Sequence, residues 1–301
     1  MNTNSQILCF GEILWDVLPD KKVPGGAPMN VALHLKKLGI NVKFASRIGN
    51  DALGKELKDF LESVAFHEYL LQEDRHHPTG TVQVDLSDSN DPKYDIVLPS
   101  AWDYIEMTEE LKQTADESEI VVYGSLASRN EVSRKTLQEI LDNHDTYNVL
   151  DINLREPHYT KERTEILMNK ADLVKMNEEE LNILAGWFTD KSEDTEEEDQ
   201  VKTLSSIFDC PMVCITKGEN GAGLLYEGYY YRHPGYQVEL ADAVGSGDAF
   251  LAALIYGYLN KVMPEKMLDL ACATGAFVAT RSGGTPDYGL EEVYEIMRNN
   301  E

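Results

Sequence analysis

The stretch "QILCFGEI" (6–13) is an apolar run of strand length. Shortly after it, "APMNVALHLKKLG" (27–39) carries apolar residues at helical spacing and ends on Gly39, a C-terminal stop. "NVKFASRIG" (41–49) reads as a second strand and "ALGKELKDFLESV" (52–64) as a second helix. The alternation returns in "EIVVYGS" (119–125), "YNVLDIN" (147–153), "DLVKMN" (172–177) and "MVCITKG" (212–218), with helical stretches between most of these strands. Such β–α alternation predicts a mostly parallel central sheet covered on both faces, a three-layer α/β/α fold. Ligands of such sheets sit beyond the carboxyl ends of the strands.

Two regions break the pattern. "TGTVQVDLSDSNDPKYDIVL" (79–98) alternates apolar and polar residues around "DSNDP", which predicts a hairpin. "WDVLPDKKVPGG" (15–26) reads as an extended excursion with a turn. Together they predict a small accessory sheet. The acidic run "DKSEDTEEED" (190–199) reads as a solvated loop or helix start.

The chain has 301 residues and a formal net charge of −26. That charge argues against nucleic acid or an anionic membrane surface as a partner. No apolar run is long enough to span a bilayer, and the first residues lack the pattern of a secretory signal. Cys9, Cys210, Cys214 and Cys272 have no zinc-like spacing and read as buried free thiols of a cytoplasmic protein.

Several motifs could carry chemistry. "DAVGSGDAF" (242–250) puts Gly245, Ser246 and Gly247 before Asp248 at the mouth of a helix. That is either a plain capped helix start or an anion hole with a base beside it. "PGGAPMN" (24–30) places two glycines before a helix with Asn30 in its first turns, either a glycine turn or a polar pocket. "NEEEL" (177–181) is a good capping sequence, with Glu180 three residues after Asn177. Its acids could also organise Mg²⁺-bound water. "TKGENGAG" (216–223) reads as a β-turn and lacks the Walker pattern. "DINLR" (151–155) sets Asp151, Asn153 and Arg155 at a strand end, where Arg155 could meet a substrate or form a structural salt bridge.

The order of these motifs resembles the ribokinase-like (PfkB-type) sugar kinases across nearly the full length. The carriers are Gly25-Gly26 followed by Asn30, Gly39 and Gly49 at the family's spacing, the Asn177–Glu180 segment, and "DAVGSGD". Ala243 departs from the family's usual Thr. The resemblance implies a single kinase domain over 1–301, with the segments near 15–26 and 79–98 as a β lid and possible dimer contact. It implies Asp248 as catalytic base and the N–H groups of Gly245, Ser246 and Gly247 as the phosphoryl hole. It implies Asn177, Thr216, Gly218 and Gly221 at the ATP site, with Asn177 and Glu180 acting on phosphate and Mg²⁺. It implies Asp16, Gly26 and Asn30 at the sugar, and a monovalent cation, K⁺, near Asp242 and "TRSGG" (280–284).

"GGAPMN" and "GEILWD" look fructokinase-like within that family. The expected reaction is ATP-dependent phosphorylation of fructose to fructose 6-phosphate. Another sugar or sugar-acid kinase, such as a 2-keto-3-deoxygluconate kinase, is the alternative enzyme. A non-catalytic sugar-binding regulator is the alternative of another class, and it would be signalled by loss of Asp248 or the glycine hole. The inward groups expected in the sugar pocket are Asp16, Asn30, Trp102 and Asp103, with Arg155 the one basic candidate.

Overall fold

The computed structural model describes residues 5–85, 93–189 and 195–298. Among these the strands are β1 (Gln6–Phe10), β2 (Leu14–Val17), β3 (Lys22–Gly25), β4 (Asn41–Gly49), β5 (Tyr69–Asp74), β6 (Gly80–Asp85) and β7 (Lys93–Ile96). They continue with β8 (Ser118–Gly124), β9 (Tyr147–Asp151), β10 (Leu173–Asn177), β11 (Met212–Thr216), β12 (Ala222–Tyr226) and β13 (Tyr229–His233). The helices are α1 (Ala27–Lys37), α2 (Ala52–Ser63), α3 (Glu109–Asp116), α4 (Glu131–Asn143), α5 (Lys161–Met168) and α6 (Glu178–Phe188). Four more follow: α7 (Glu197–Phe208), α8 (Ser246–Leu259), α9 (Pro264–Ala279) and α10 (Leu290–Arg298).

The large sheet runs β13-β12-β11-β10-β9-β8-β1-β4-β5. Neighbours from β5 to β11 are parallel, and β12 and β13 add an antiparallel hairpin. Side-chain alternation sends β1 to both faces. Ile7 and Cys9 pack with α1, α2, α8, α9 and α10, whereas Leu8 and Phe10 pack with α3 to α7. Burial on both sides is what makes these strands read as continuous apolar runs. The order reverses about β1: the chain leaves it for β4 on one side and returns to β8 on the other. That switch opens a crevice at the carboxyl ends of β1, β8, β9 and β10.

A second sheet, β3-β2-β6-β7, joins the two excursions through a parallel β2–β6 pairing. β2 with β3 and β6 with β7 are antiparallel, as the hairpin readings expect. The "DSNDP" turn (88–92) and the first half of the acidic run lie outside the described residues. The end of that run forms the first turn of α7, which carries Glu197, Glu198 and Asp199.

The strand expected over 6–13 is two strands in two sheets. Gly11 adopts φ 148° and turns the chain away after Phe10, so that Leu14 resumes in the lid. A Cβ on Gly11 would stand 2.7 Å from Pro28 Cγ, so the turn needs glycine. Gly39 follows α1 at φ 78°, the expected left-handed stop. The four cysteines are free and buried. No described helix is long and apolar enough to cross a membrane.

Candidate active site

α8 begins where Gly245 turns left-handed, at φ 74°. A Cβ there would overlap the backbone of Gly284. The Ser246 N–H and hydroxyl both donate to the Ala243 carbonyl, at 3.3 and 2.9 Å, and close the turn. The Ser246 N–H is thus engaged inside the turn. Among the described residues the N–H groups of Gly245, Gly247 and Asp248 have no protein acceptor. Open donors at a helix N-terminus, with the helix dipole behind them, suit an anion. Ala243 contributes its backbone carbonyl, so the missing Thr side chain leaves this turn intact.

Two cavities meet at this turn. One, of about 380 Å³, is lined by Thr216, Gly218, Gly221, Tyr236, Ser246 and Gly247 among others. The other, of about 460 Å³, is lined by Glu12, Asp16, Gly26, Asn30, Arg155 and Asp248 among others. Ala243 and Gly247 line both. The glycine turn is thus the partition between a mainly apolar cavity and a carboxylate-rich one.

Asp248 is held by Asn30, whose Nδ2 donates to its Oδ2 at 2.8 Å. Burial pushes the Asp248 carboxyl up to about 6; Asp151 adds to the shift, and Asn30, Lys175 and Arg155 oppose it. Asp16 is likewise pushed up to about 6 by burial, with Arg155 opposing. Glu12 is 2% exposed and pushed up to about 7 by burial. These shifts give a prediction. A base must be deprotonated to accept a proton, so kcat/KM should fall as pH drops through about 6. Glu12→Gln should leave that limb in place. A rate flat from roughly pH 8 to pH 5 would contradict Asp248 as the base.

Beneath the turn lies an ion pair that the motifs did not announce. β9 and β10 pair Asp151 with Lys175 in register, and Lys175 Nζ donates to both Asp151 oxygens at 2.9 and 3.1 Å. A Cβ on Gly247 would stand 3.4 Å from Lys175 Nζ. The ammonium group therefore lies directly behind the anion-binding turn. A lysine in the buried strand "DLVKM" was the available signal, because a buried charge requires a partner.

Asp16, Gly26, Asn30 and Arg155 come together with Asp248 in the second cavity. Gly26 has φ 118°, and a Cβ on it would overlap the Glu12 carbonyl. Thr216, Gly218 and Gly221 line the first cavity. Asn177 and Glu180 line neither. They form the capping box of α6, each side chain accepting the other's backbone N–H at 2.8 Å, and Glu180 Oε1 also accepts Leu154 N–H. Asp242 accepts Val244 N–H and Gly283 N–H at 3.0 and 3.1 Å, tying its loop to the 280–284 segment.

Trp102 does not line the second cavity. "AWDY" (101–104) folds into a capped 3₁₀ turn that buries Trp102 completely among Leu8, Phe10, Val82 and Ile96. The Arg129 guanidinium lies 3.9 Å over its ring. Asp103 is also buried, paired with Arg129 through bonds of 2.6 and 2.8 Å. Both residues brace the base of the lid. Lys22, one of the two lysines of the excursion, bonds Glu56 of α2.

Residues 4–288 match the model of the pfkB family carbohydrate kinases. The chain is 28% identical to the fructokinase of Escherichia coli, over 93% of this chain and 95% of that one. It is also 28% identical to the ATP-dependent 6-phosphofructokinase of Thermoanaerobacterium thermosaccharolyticum, over 97% and 94% of the two chains. A double mutant of the Vibrio cholerae fructokinase, solved with fructose, ADP and potassium ion, superposes with a TM-score of 0.81 at 25% identity. The superposition covers 98% of this chain and 99% of that one.

Proposed function

The chain belongs to the pfkB family of carbohydrate kinases, and on that premise we propose that it transfers the γ-phosphoryl group of ATP to a hydroxyl of fructose, giving fructose 6-phosphate. The observation that carries this reading is the Gly245–Asp248 turn standing between two cavities, with Asp248 on the carboxylate-rich side. MgATP enters the mainly apolar cavity at the ends of β11 and α8. The sugar enters beneath the lid.

Phosphoryl transfer asks for positioning and charge stabilisation rather than covalent help. Asp248 accepts the proton of the attacking hydroxyl. The open N–H groups of Gly245, Gly247 and Asp248, with Lys175 behind them, stabilise the charge that spreads over the transferring group. Glu180 lines neither cavity and both its oxygens already accept backbone N–H groups, so it would not ligate Mg²⁺ directly, and any effect on the metal would pass through metal-bound water. The Asp242 tie to the 280–284 segment is the place for a K⁺ effect, in keeping with the potassium bound in the Vibrio relative. The outer surface of the lid is the proposed dimer contact.

The pocket favours a neutral polyol. It holds Glu12, Asp16, Asp151 and Asp248 against Lys175 and Arg155, and Lys175 is taken by Asp151. An anionic substrate would have to be desolvated among these carboxylates at high cost. Arg155 is the observation that favours a second reading, an acidic or phosphorylated sugar, since its exposed side chain borders the same cavity. Comparing kcat/KM for fructose, fructose 6-phosphate, 2-keto-3-deoxygluconate, ribose and adenosine under one MgATP condition decides between them. Fructose is expected to rank first. If fructose 6-phosphate or ketodeoxygluconate ranks first, Arg155 reaches the substrate and the fructose reading falls.

A further inference from the structure

α1 presents Asn30, His34 and Lys37 at helical spacing on one face. Asn30 lines the site itself, while His34 and Lys37 reach the 284–286 chain behind it. Asn30 holds Asp248. Lys37 Nζ donates to the carbonyls of Thr285 and Pro286, both at 2.7 Å. His34 is wholly buried, with Nε2 2.9 Å from the Gly284 carbonyl and Nδ1 3.0 Å from the Tyr288 hydroxyl. A carbonyl can only accept, so Nε2 carries the hydrogen and Nδ1 accepts from Tyr288. Burial, with the Lys37 charge nearby, pushes the imidazole down to about 3, so the ring stays neutral at any working pH.

The Gly284 carbonyl is the same group that fills the space beside the Gly245 Cα. It therefore buttresses the left-handed residue that starts α8. From this geometry we infer that His34 is a positioning residue for phosphoryl transfer, fixing Gly284 so that the Gly245 turn holds its N–H groups at one orientation. The proposed sugar contacts run through the Asp16, Gly26 and Asn30 side of the cavity; Gly284 lies beside the Asn30 side chain, but the Asn30 amide bonds Asp248 and not Gly284. Loss of the His34 donor should consequently lower kcat and leave sugar affinity unchanged.

The inference rests on the phosphotransfer reading above, and the test separates the two. His34→Met fills similar volume without a donor, and His34→Gln places an amide N–H near the position of Nε2. Steady-state kcat and the dissociation constant for fructose are measured on wild type and both variants, with His34→Ala as a second donor-free variant should Met not fold. Absence of sugar phosphorylation by the wild type would remove the phosphotransfer reading itself. With an active wild type, we expect kcat to fall about tenfold in the donor-free variant, with fructose affinity within about threefold, and Gln to restore most of the rate. An unchanged kcat in the donor-free variant, a Gln variant as slow as Met, or an equal loss of sugar affinity would each overturn the inference.

Discussion

Asp248→Asn is expected to lower kcat by roughly 10²–10⁴-fold, the range for removal of a general base. The substitution is nearly isosteric. The introduced amide keeps an oxygen that can accept the Asn30 N–H, and no cap is lost, since α8 starts at Gly245 without a side-chain cap. What it cannot do is accept the proton of the attacking hydroxyl. Sugar affinity should therefore stay close to wild type, and thermal stability should hold or rise, because a buried carboxylate pushed up to about 6 is costly to keep ionised. Steady-state kinetics with a direct binding measurement separate the possibilities. A near-normal kcat would mean that the residue only shapes the helix start.

Lys175→Met should produce the largest loss of stability. The pair it breaks is buried, with side-chain exposures of 10% for Lys175 and 6% for Asp151. Removing one partner leaves Asp151 as an uncompensated buried charge, which costs about 3–5 kcal/mol. A urea titration should show a lower midpoint, and the double variant with Asp151→Leu should recover much of it. The same change acts on chemistry. Lys175 is one of the groups holding the Asp248 carboxyl down, so its loss should move the acid limb of kcat/KM to higher pH. Were the midpoint unchanged, the ion pair would not be the electrostatic floor of the site.

The strands and the glycine turns were legible because they depend on local rules. β4 falls on the expected 41–49, and α1 and α2 lie within two residues of their expected ends. Period-two excursions announced the lid, but not that β2 and β6 would pair in parallel, which depends on contacts far apart in sequence. Gly11 disguised a sheet change as one long strand, because a run of apolar residues looks the same whether or not a glycine bends the chain out of the sheet. Trp102 illustrates the opposite error. A large aromatic near a lid can face a ligand or the core, and only the arrangement of Arg129, Val82 and Ile96 around it sends it inward. Asn177 and Glu180 were equally consistent with a cap and a phosphate role, and the geometry gives the cap directly. The Lys175–Asp151 pair and the buried His34 were hidden because their meaning lies in cross-strand register and in a loop 250 residues away.

On this reading a phosphoryl group passes from ATP in one cavity to a hydroxyl in the other while the Gly245–Asp248 turn holds it. Phosphorus NMR of the wild-type chain with MgATP and fructose tests it most directly. ATP should be converted to ADP with an equal amount of one new phosphomonoester, and Asp248→Asn should suppress both. ATP left intact, or ADP appearing with inorganic phosphate and no sugar ester, would contradict it.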